Sequence, residues 1–417
     1  MDNYQNYVNP LNLISNIGSE IFILSSQNRN QKIPDDISTL IISEIKLDDC
    51  QIPENITSLI YLMNITSKII LNNIPDSLIS LFIINNVMLS KSCFLTIKKY
   101  PPKLVTLYVN HNIIFNIKNI PSTITKLFLH CYCKPYYLYS NITHLIVNNV
   151  SKSIEFPPNL EYLDINYFSI KYIYKCLPEE LRKKISLLPL KTLLLRYNNV
   201  GTIVIPQSVT KLRIDHIQPC DLSKCIIWLD VYCYIPMTQE EFPPTLKYLT
   251  IRSLANQYET IGYLPDSLIY LDISYDYRKN IINKFPSKLE YLKIYQLKTI
   301  NFLDLQLLSN LKIFSYNADY ENLHRDYLKY IPLTTLIYLN NSQFMNDSGV
   351  RAKLHPLYHK MIVQSKTKLD KYRFDSDMLH AIELPKRYIN ISEAQRNISN
   401  FFYYEIKNLE FYQYFDN

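Results

Sequence analysis

The side chains with the widest chemical repertoire in this 417-residue chain are its eight cysteines and eight histidines. Two groups stand close enough in sequence to suggest metal ligation: His130, Cys131 and Cys133 in "HCYC", and His216, Cys220, Cys225 and Cys233. Four thiolate and imidazole ligands can hold a tetrahedral zinc ion, but these spacings match no common zinc module. Free cysteine in a packed interior is the plainer reading. "HPLYH" sets His355 and His359 four apart, as on a metalloprotease helix, yet the glutamate that would act as general base is missing and Pro356 interrupts the turn. The chain has only four glycines, Gly18, Gly201, Gly262 and Gly349, and no two are close enough to form a phosphate-cradling loop. Neither a metal nor a cofactor is expected, and the chain is not expected to be an enzyme.

A second set of residues suits binding rather than reaction. "YLDI" at 162–165, "WLDV" at 228–231, "YLTI" at 248–251, "YLDI" at 270–273 and "YLKI" at 291–294 repeat an aromatic, a leucine and a polar residue. Period-two alternation puts the aromatic and the polar residue on one strand face and the leucine on the other. Tyr162, Trp228, Tyr248, Tyr270 and Tyr291 would then line one column, with Asp164, Asp230 and Asp272 in the next. Flat rings edged by carboxylates suit a protein partner rich in Arg or Lys, through cation–π contact and ion pairing. Tyr and Trp dominate interface hot spots, where one truncation costs about 2 kcal/mol or more. Earlier in the chain the second column is apolar instead: Ile41, Ile60, Phe82, Tyr108, Phe128 and Ile146. Phe82, Tyr108 and Phe128 are candidate partner contacts on the same grounds. Both columns also admit a structural reading, since aromatic and β-branched residues favour strands and stack across them without any ligand.

These residues are positioned by a repeat. Units of the form P-x-x-L-x-x-L-x-I anchor at Ile37, Ile56, Leu78, Leu104, Ile124, Ile142, Leu160, Leu190, Val209, Ile226, Leu246, Leu268, Leu289, Leu308 and Leu333. A mean interval of about 21 residues falls in the range of leucine-rich-repeat coils. One coil cannot bury its apolar face alone, whereas stacked coils can, as a parallel ladder. Proline, with no amide hydrogen and a fixed φ, belongs in the turn before each strand. The expected fold is therefore an α/β repeat, a leucine-rich-repeat-like solenoid with a parallel β-ladder on its concave face and a helical C-terminal cap.

"IPDSLISLFI" (74–83), "FPPNLEYLDI" (156–165) and "LPDSLIYLDI" (264–273) resemble the P-x-S-L-x-x-L-x-L half of FNIP repeats, relatives of leucine-rich repeats found in amoebae and in giant DNA viruses. The resemblance spans roughly residues 33–340; Phe115-Asn116 in "FNIKNIP" is the nearest trace of the naming tetrapeptide, so the repeats are degenerate. The eight cysteines show no disulfide-like regularity, so a reducing compartment is expected, the cytoplasm, and the host's if the source is viral. Some relatives carry an N-terminal F-box that recruits a ubiquitin ligase, and only about 32 residues precede the first repeat here. Bacterial effectors with a similar array add a ligase domain with a nucleophilic cysteine; the last cysteine here is Cys233, so residues 341–417 supply none.

Three breaks complete the organisation: an N-terminal cap over 1–32, an inserted convex-side helix in "LPEELRKKIS" (177–186), and a helical C-terminal cap or small domain over 341–417. In the insertion Pro178 sits near the start, with glutamates early and basic residues late, as a helix dipole favours. The N-terminus lacks a basic start and apolar core, and no 18-residue apolar run occurs, so neither a signal peptide nor a spanning helix is expected. The net charge of +7 is modest and without a basic block, and a column mixing Asp with Lys would repel phosphate as much as attract it, so nucleic acid is not the expected partner. The expected function is a scaffold that binds a protein on its concave face. Two alternatives stay open: a ubiquitin-ligase substrate adaptor without an F-box, and a self-associating structural or virion-associated repeat protein.

Overall fold

The computed structural model describes residues 21–26, 29–43, 45–63, 68–72, 74–85, 93–109, 113–115, 120–129, 138–148, 150, 154–166, 177–196, 203–216, 222–234, 242–254, 260–262, 264–273, 281–282, 284–294, 305, 307–316 and 336–339. The repeat array divides into two compact units, with the boundary between Pro157 and Pro158. The first unit contains β1 (Ile21–Ser25), β2 (Thr39–Ser43), β3 (Ser58–Met63), β4 (Ile69–Leu71), β5 (Ser80–Asn85), β6 (Cys93–Ile97), β7 (Thr106–Val109), β8 (Ile113–Phe115), β9 (Lys126–Leu129) and β10 (His144–Asn148). Its long strands pair in the order β1-β2-β3-β5-β7-β9-β10, all parallel. The short β4, β6 and β8 form a separate parallel sheet.

The second unit contains β11 (Tyr162–Asn166), α1 (Glu179–Ser186), β12 (Thr192–Arg196), β13 (Lys211–His216), β14 (Trp228–Tyr234), β15 (Tyr248–Leu254), β16 (Thr260–Gly262), β17 (Tyr270–Ile273), β18 (Ile281–Ile282), β19 (Tyr291–Ile294), β20 (Ile313–Tyr316) and β21 (Leu336–Leu339). Here the parallel ladder runs β11-β12-β13-β14-β15-β17-β19-β20-β21, and β16 pairs with β18. Each unit is a parallel β-solenoid with one strand of its main ladder per coil. The inserted helix is α1: Glu179 and Glu180 open it, Lys183 and Lys184 close it, and Leu181 and Ile185 are its buried face.

The P-x-x-L motif is a β-turn. The anchor's amide donates to the proline carbonyl three residues earlier, as in Leu78 to Pro75 (3.2 Å), Leu246 to Pro243 (3.0 Å) and Leu268 to Pro265 (3.1 Å). Degenerate units keep the turn without proline: Ile142 donates to Tyr139 and Ile226 to Ser223, both at 3.2 Å. The residue after each anchor then accepts from two amides of the following coil. Ile227 O, for example, takes the amides of Lys247 (2.9 Å) and Tyr248 (3.1 Å). A third device lies just before the anchor. Ser77 and Ser267 donate to the preceding anchor's carbonyl, Ile56 O at 2.7 Å and Leu246 O at 2.6 Å. Thr245 reaches both Lys224 O and Ile226 O at 2.8 Å, and Asn141 bridges Ser122 O and Ile124 O. Turn carbonyls that a stack would otherwise bury unpaired are met by the next coil.

The second leucine of each unit is the core. Leu59, Leu81, Leu107, Leu127, Leu163, Leu193, Leu229 and Leu249 are wholly buried. Such a side chain contributes about 1.5–3 kcal/mol by leaving water, which is why the leucine survives where the proline does not.

Register corrects two anchors. Ile313 pairs with Tyr291 and Phe314 with Leu292, and the amide of Leu311 donates to Leu308 O at 2.9 Å. Leu311 is therefore the anchor and Leu308 holds the proline position of the turn. The polar-column residue of β20 is consequently Ser315, opposite Lys293. Leu336 pairs with Ile313, so the last unit starts one residue beyond Leu333. The ladder also begins earlier than residue 33: Ile21 pairs with Thr39, placing a strand inside the stretch read as an N-terminal cap. The helices expected over 341–417 lie outside the described residues.

Candidate partner-binding face

In the second unit one face of the ladder is built from two columns of side chains. In the first, register aligns Tyr162, Thr192, Lys211, Trp228, Tyr248, Tyr270, Tyr291 and Ile313 on successive strands. In the second it aligns Asp164, Leu194, Arg213, Asp230, Thr250, Asp272, Lys293 and Ser315. Trp228, Tyr248, Tyr270 and Tyr291 occupy four consecutive rungs; Tyr162 is separated from them by Thr192 and Lys211.

The tyrosine rings pack edgewise along the ladder. Tyr248 and Tyr270 have ring centroids 6.4 Å apart at 48°, and Tyr270 and Tyr291 6.3 Å apart at 43°. These tilted contacts are of the favourable aromatic kind. Tyr270 is buried between its neighbours, whereas Tyr162, Trp228, Tyr248 and Tyr291 are half-buried and keep part of each ring in solvent.

The aspartates are placed differently from the expectation of acidic edges. Asp164 and Asp230 are fully buried, and Asp272 nearly so. Asp230 is held by two arginines of its own chain. Arg252 donates Nε–H to Oδ1 at 2.7 Å and Nη2–H to Oδ2 at 2.8 Å, and Arg213 Nε lies 3.6 Å from Oδ2. Asp272 Oδ2 accepts from Lys293 Nζ at 3.1 Å and from the Tyr270 hydroxyl at 3.3 Å. A carboxylate buried this way needs such partners, because unpaired burial of a charge is far too costly. Asp230 and Asp272 therefore meet cations of this chain. Arg252 falls outside the two columns because it stands two residues past Thr250, on the same face of β15; its spacing of 22 from Asp230, one coil of 20 plus two residues, is the signal.

The early column is interior. Phe82, Tyr108 and Phe128 are 0, 2 and 2% exposed, and Ile41, Ile60 and Ile146 are buried with them. The Phe82 and Tyr108 rings lie 6.0 Å apart. With Leu81 and Leu107 buried on the opposite face, these strands are buried on both sides, as parallel sheets commonly are. The structural reading left open for this column is the one its burial matches.

Of the candidate metal groups, His130, Cys131, Cys133, Cys220, His355 and His359 lie outside the described residues. His216 and Cys233 are register partners on β13 and β14, and Cys225 is exposed in a turn. Among the described residues no group of three metal-ligating side chains occurs, and no helix is long and apolar enough to cross a membrane.

Burial, and secondarily the nearby Glu290 carboxylate, push the Tyr248 hydroxyl above its ordinary value of 10.0. Burial alone raises Tyr100 further. A group whose pKa is raised by folding stabilises the native state below its ordinary value and ceases to do so as pH climbs through the folded one. Stability is expected to hold from neutral pH to about 10 and then fall as these phenols are forced to ionise. Denaturant midpoints measured across that range check this, with Tyr248→Phe flattening the alkaline fall.

No family model matches the chain, and no curated protein matches it. Two solved structures are similar to it. One is described as a crystal structure of CroV588, a novel circular LRR protein structure: 19% identity, 74% of this chain and 48% of that one covered, TM-score 0.39. The chain thus spans about half the length of that protein. The other is YopM from Yersinia enterocolitica WA-314, at 15% identity, covering 69% of this chain and 79% of that one, TM-score 0.23. The leucine-rich-repeat-like character of the chain rests on its own register: one parallel strand per coil, leucine inward, turn before each strand.

Proposed function

We propose that the chain is a non-enzymatic scaffold that binds another protein across the ladder of the second unit, with Trp228, Tyr248 and Tyr291 as anchors and Tyr270 as their buried support. The observation that carries this is the partial exposure of large rings on neighbouring rungs, beside Asp230 and Asp272, whose charges are already met by cations of the chain itself. A sheet needing these rings only for its own packing has no reason to leave their edges in water, whereas amphipathic rings with few rotamers are what interface hot spots use. Asp164, Asp230 and Asp272 are assigned to holding the face rigid. In this reading the protein works in a reducing cytoplasm, where Cys50, Cys93 and Cys225 remain thiols.

Selection of displayed random peptides on the intact chain tests the proposal, with Trp228→Ala/Tyr248→Ala/Tyr291→Ala as the counter-target after circular dichroism has shown that it folds. The expected result is a set of peptides held by the wild type and lost by the variant, since two or more hot-spot truncations at about 2 kcal/mol each weaken binding at least a hundredfold. Peptides that bind both proteins equally would place the binding surface elsewhere.

A further inference from the structure

We infer that the segment recognised at this face is acidic, an apolar-bearing peptide with a run of carboxylates; the inference rests on the reading just given and names the partner's chemistry. Among the described residues, most of the charges without an ion-pair partner on the turns leading into the aromatic ladder are cationic. Lys224 lies in the turn that leads into β14, and Lys247 immediately precedes Tyr248; both are exposed. Neither makes an ion pair among the described residues. Lys288 is likewise exposed in the turn before β19.

The opposing charges on this edge are largely used up. Glu161 is bridged by Lys191 at 3.0 Å and Glu290 by Lys312 at 2.6 Å, which leaves Asp266 as the exposed carboxylate of the neighbouring turn. Asp230 and Asp272 are buried against Arg213, Arg252 and Lys293. Between the lysines the row carries Ile227, 37% exposed, and the half-buried Ile269. Among the described residues, an Arg- or Lys-rich partner would meet the ammonium groups of Lys224, Lys247 and Lys288 here, against the single exposed carboxylate of Asp266. A peptide alternating acidic and large apolar residues would satisfy both the lysines and the ring edges, with steering that salt screens.

The test uses the full chain and two synthetic peptides of equal length, one alternating Glu with Leu and Phe and the other with Lys in place of Glu, plus an oligothymidylate. Binding is read from the emission of Trp228, the chain's single tryptophan. The acidic peptide is expected to bind, to weaken as salt rises, and to weaken roughly tenfold in Lys224→Glu/Lys247→Glu, whose exposed positions leave the fold intact. Preference for the basic peptide, tighter binding of the oligothymidylate, binding of none of the three, or indifference to the charge reversal would overturn the inference. If peptides are lost in the Trp228/Tyr248/Tyr291 variant but the charge reversal changes nothing, the aromatic scaffold stands and only the acidic partner falls.

Discussion

Asp230→Ala is expected to destabilise the second unit by about 3–5 kcal/mol, the loss typical of removing one member of a buried charge network. Its carboxylate is inaccessible to solvent and takes two hydrogen bonds from Arg252 and a longer ion pair from Arg213. Without it, two guanidinium groups on β13 and β15 are left facing an apolar methyl, Arg213 nearly buried and Arg252 half-buried. Part of the loss is the missing attraction; the rest is the desolvation of cations that have lost their buried carboxylate. Replacing all three residues, Asp230→Leu with Arg213→Leu and Arg252→Met, is expected to recover most of the stability, because no charge of this network then remains to be desolvated. Chemical denaturation of the single and triple variants checks both outcomes. A single variant within 1 kcal/mol of wild type would mean that the arginines find solvent or other carboxylates, as exposed pairs do.

Phe82→Ala is expected to cost about 3–5 kcal/mol, the range for removing a buried ring. Phe82 has no exposed surface and stacks against Tyr108 on the next rung, so truncation leaves a cavity with Leu81 and Ile83 already committed to the opposite face. The same change at a binding surface would weaken partner capture and leave the denaturation midpoint nearly unmoved. A stability loss with peptide binding in the second unit intact is the pattern that interior placement requires.

The architecture was legible because its two periods are independent and agree. The P-x-x-L turn recurs about every 21 residues, and the leucine and the aliphatic residue two further on declare a strand; together they place every strand of the main ladder from β2 to β19 in the right phase. Where the two signals disagree, the phase is ambiguous. "LLSNLKIF" offers Leu308 and Leu311 three apart with no proline to choose between them, and only the pairing of Ile313 with Tyr291 decides. "IFILS" at 21–25 has no preceding P-x-x-L to mark it, and strands as short as Ile69–Leu71 carry too few residues for a period to show.

The face itself was half legible. Columns follow from period two, but their exposure does not. "TLIIS" and "SLFIIN" are nearly continuous apolar runs, the pattern of a strand buried on both sides, and that pattern argues for Phe82 as interior. The polar column was harder. Asp230 and Asp272 look like an open acidic edge until the cations one rung away are counted: Arg213 at 17 residues before Asp230 and Lys293 at 21 after Asp272 are each one coil off. Whether a charged residue faces a partner or its own neighbour is a question of depth, and depth is not written in a single repeat.

The account's central claim is that a protein partner lies across the half-exposed rings of the second unit, and Trp228 offers a direct measurement of it. Collisional quenching of its emission by acrylamide is measured alone and with a saturating peptide obtained by selection on the intact chain. The claim predicts that the free protein is partly quenched, as a half-buried ring should be, and that the bound peptide shields Trp228 and lowers the quenching constant severalfold. An unchanged quenching constant in a complex shown by anisotropy to be saturated would contradict it, because a ligand that leaves Trp228 as open as before is not seated on this ladder.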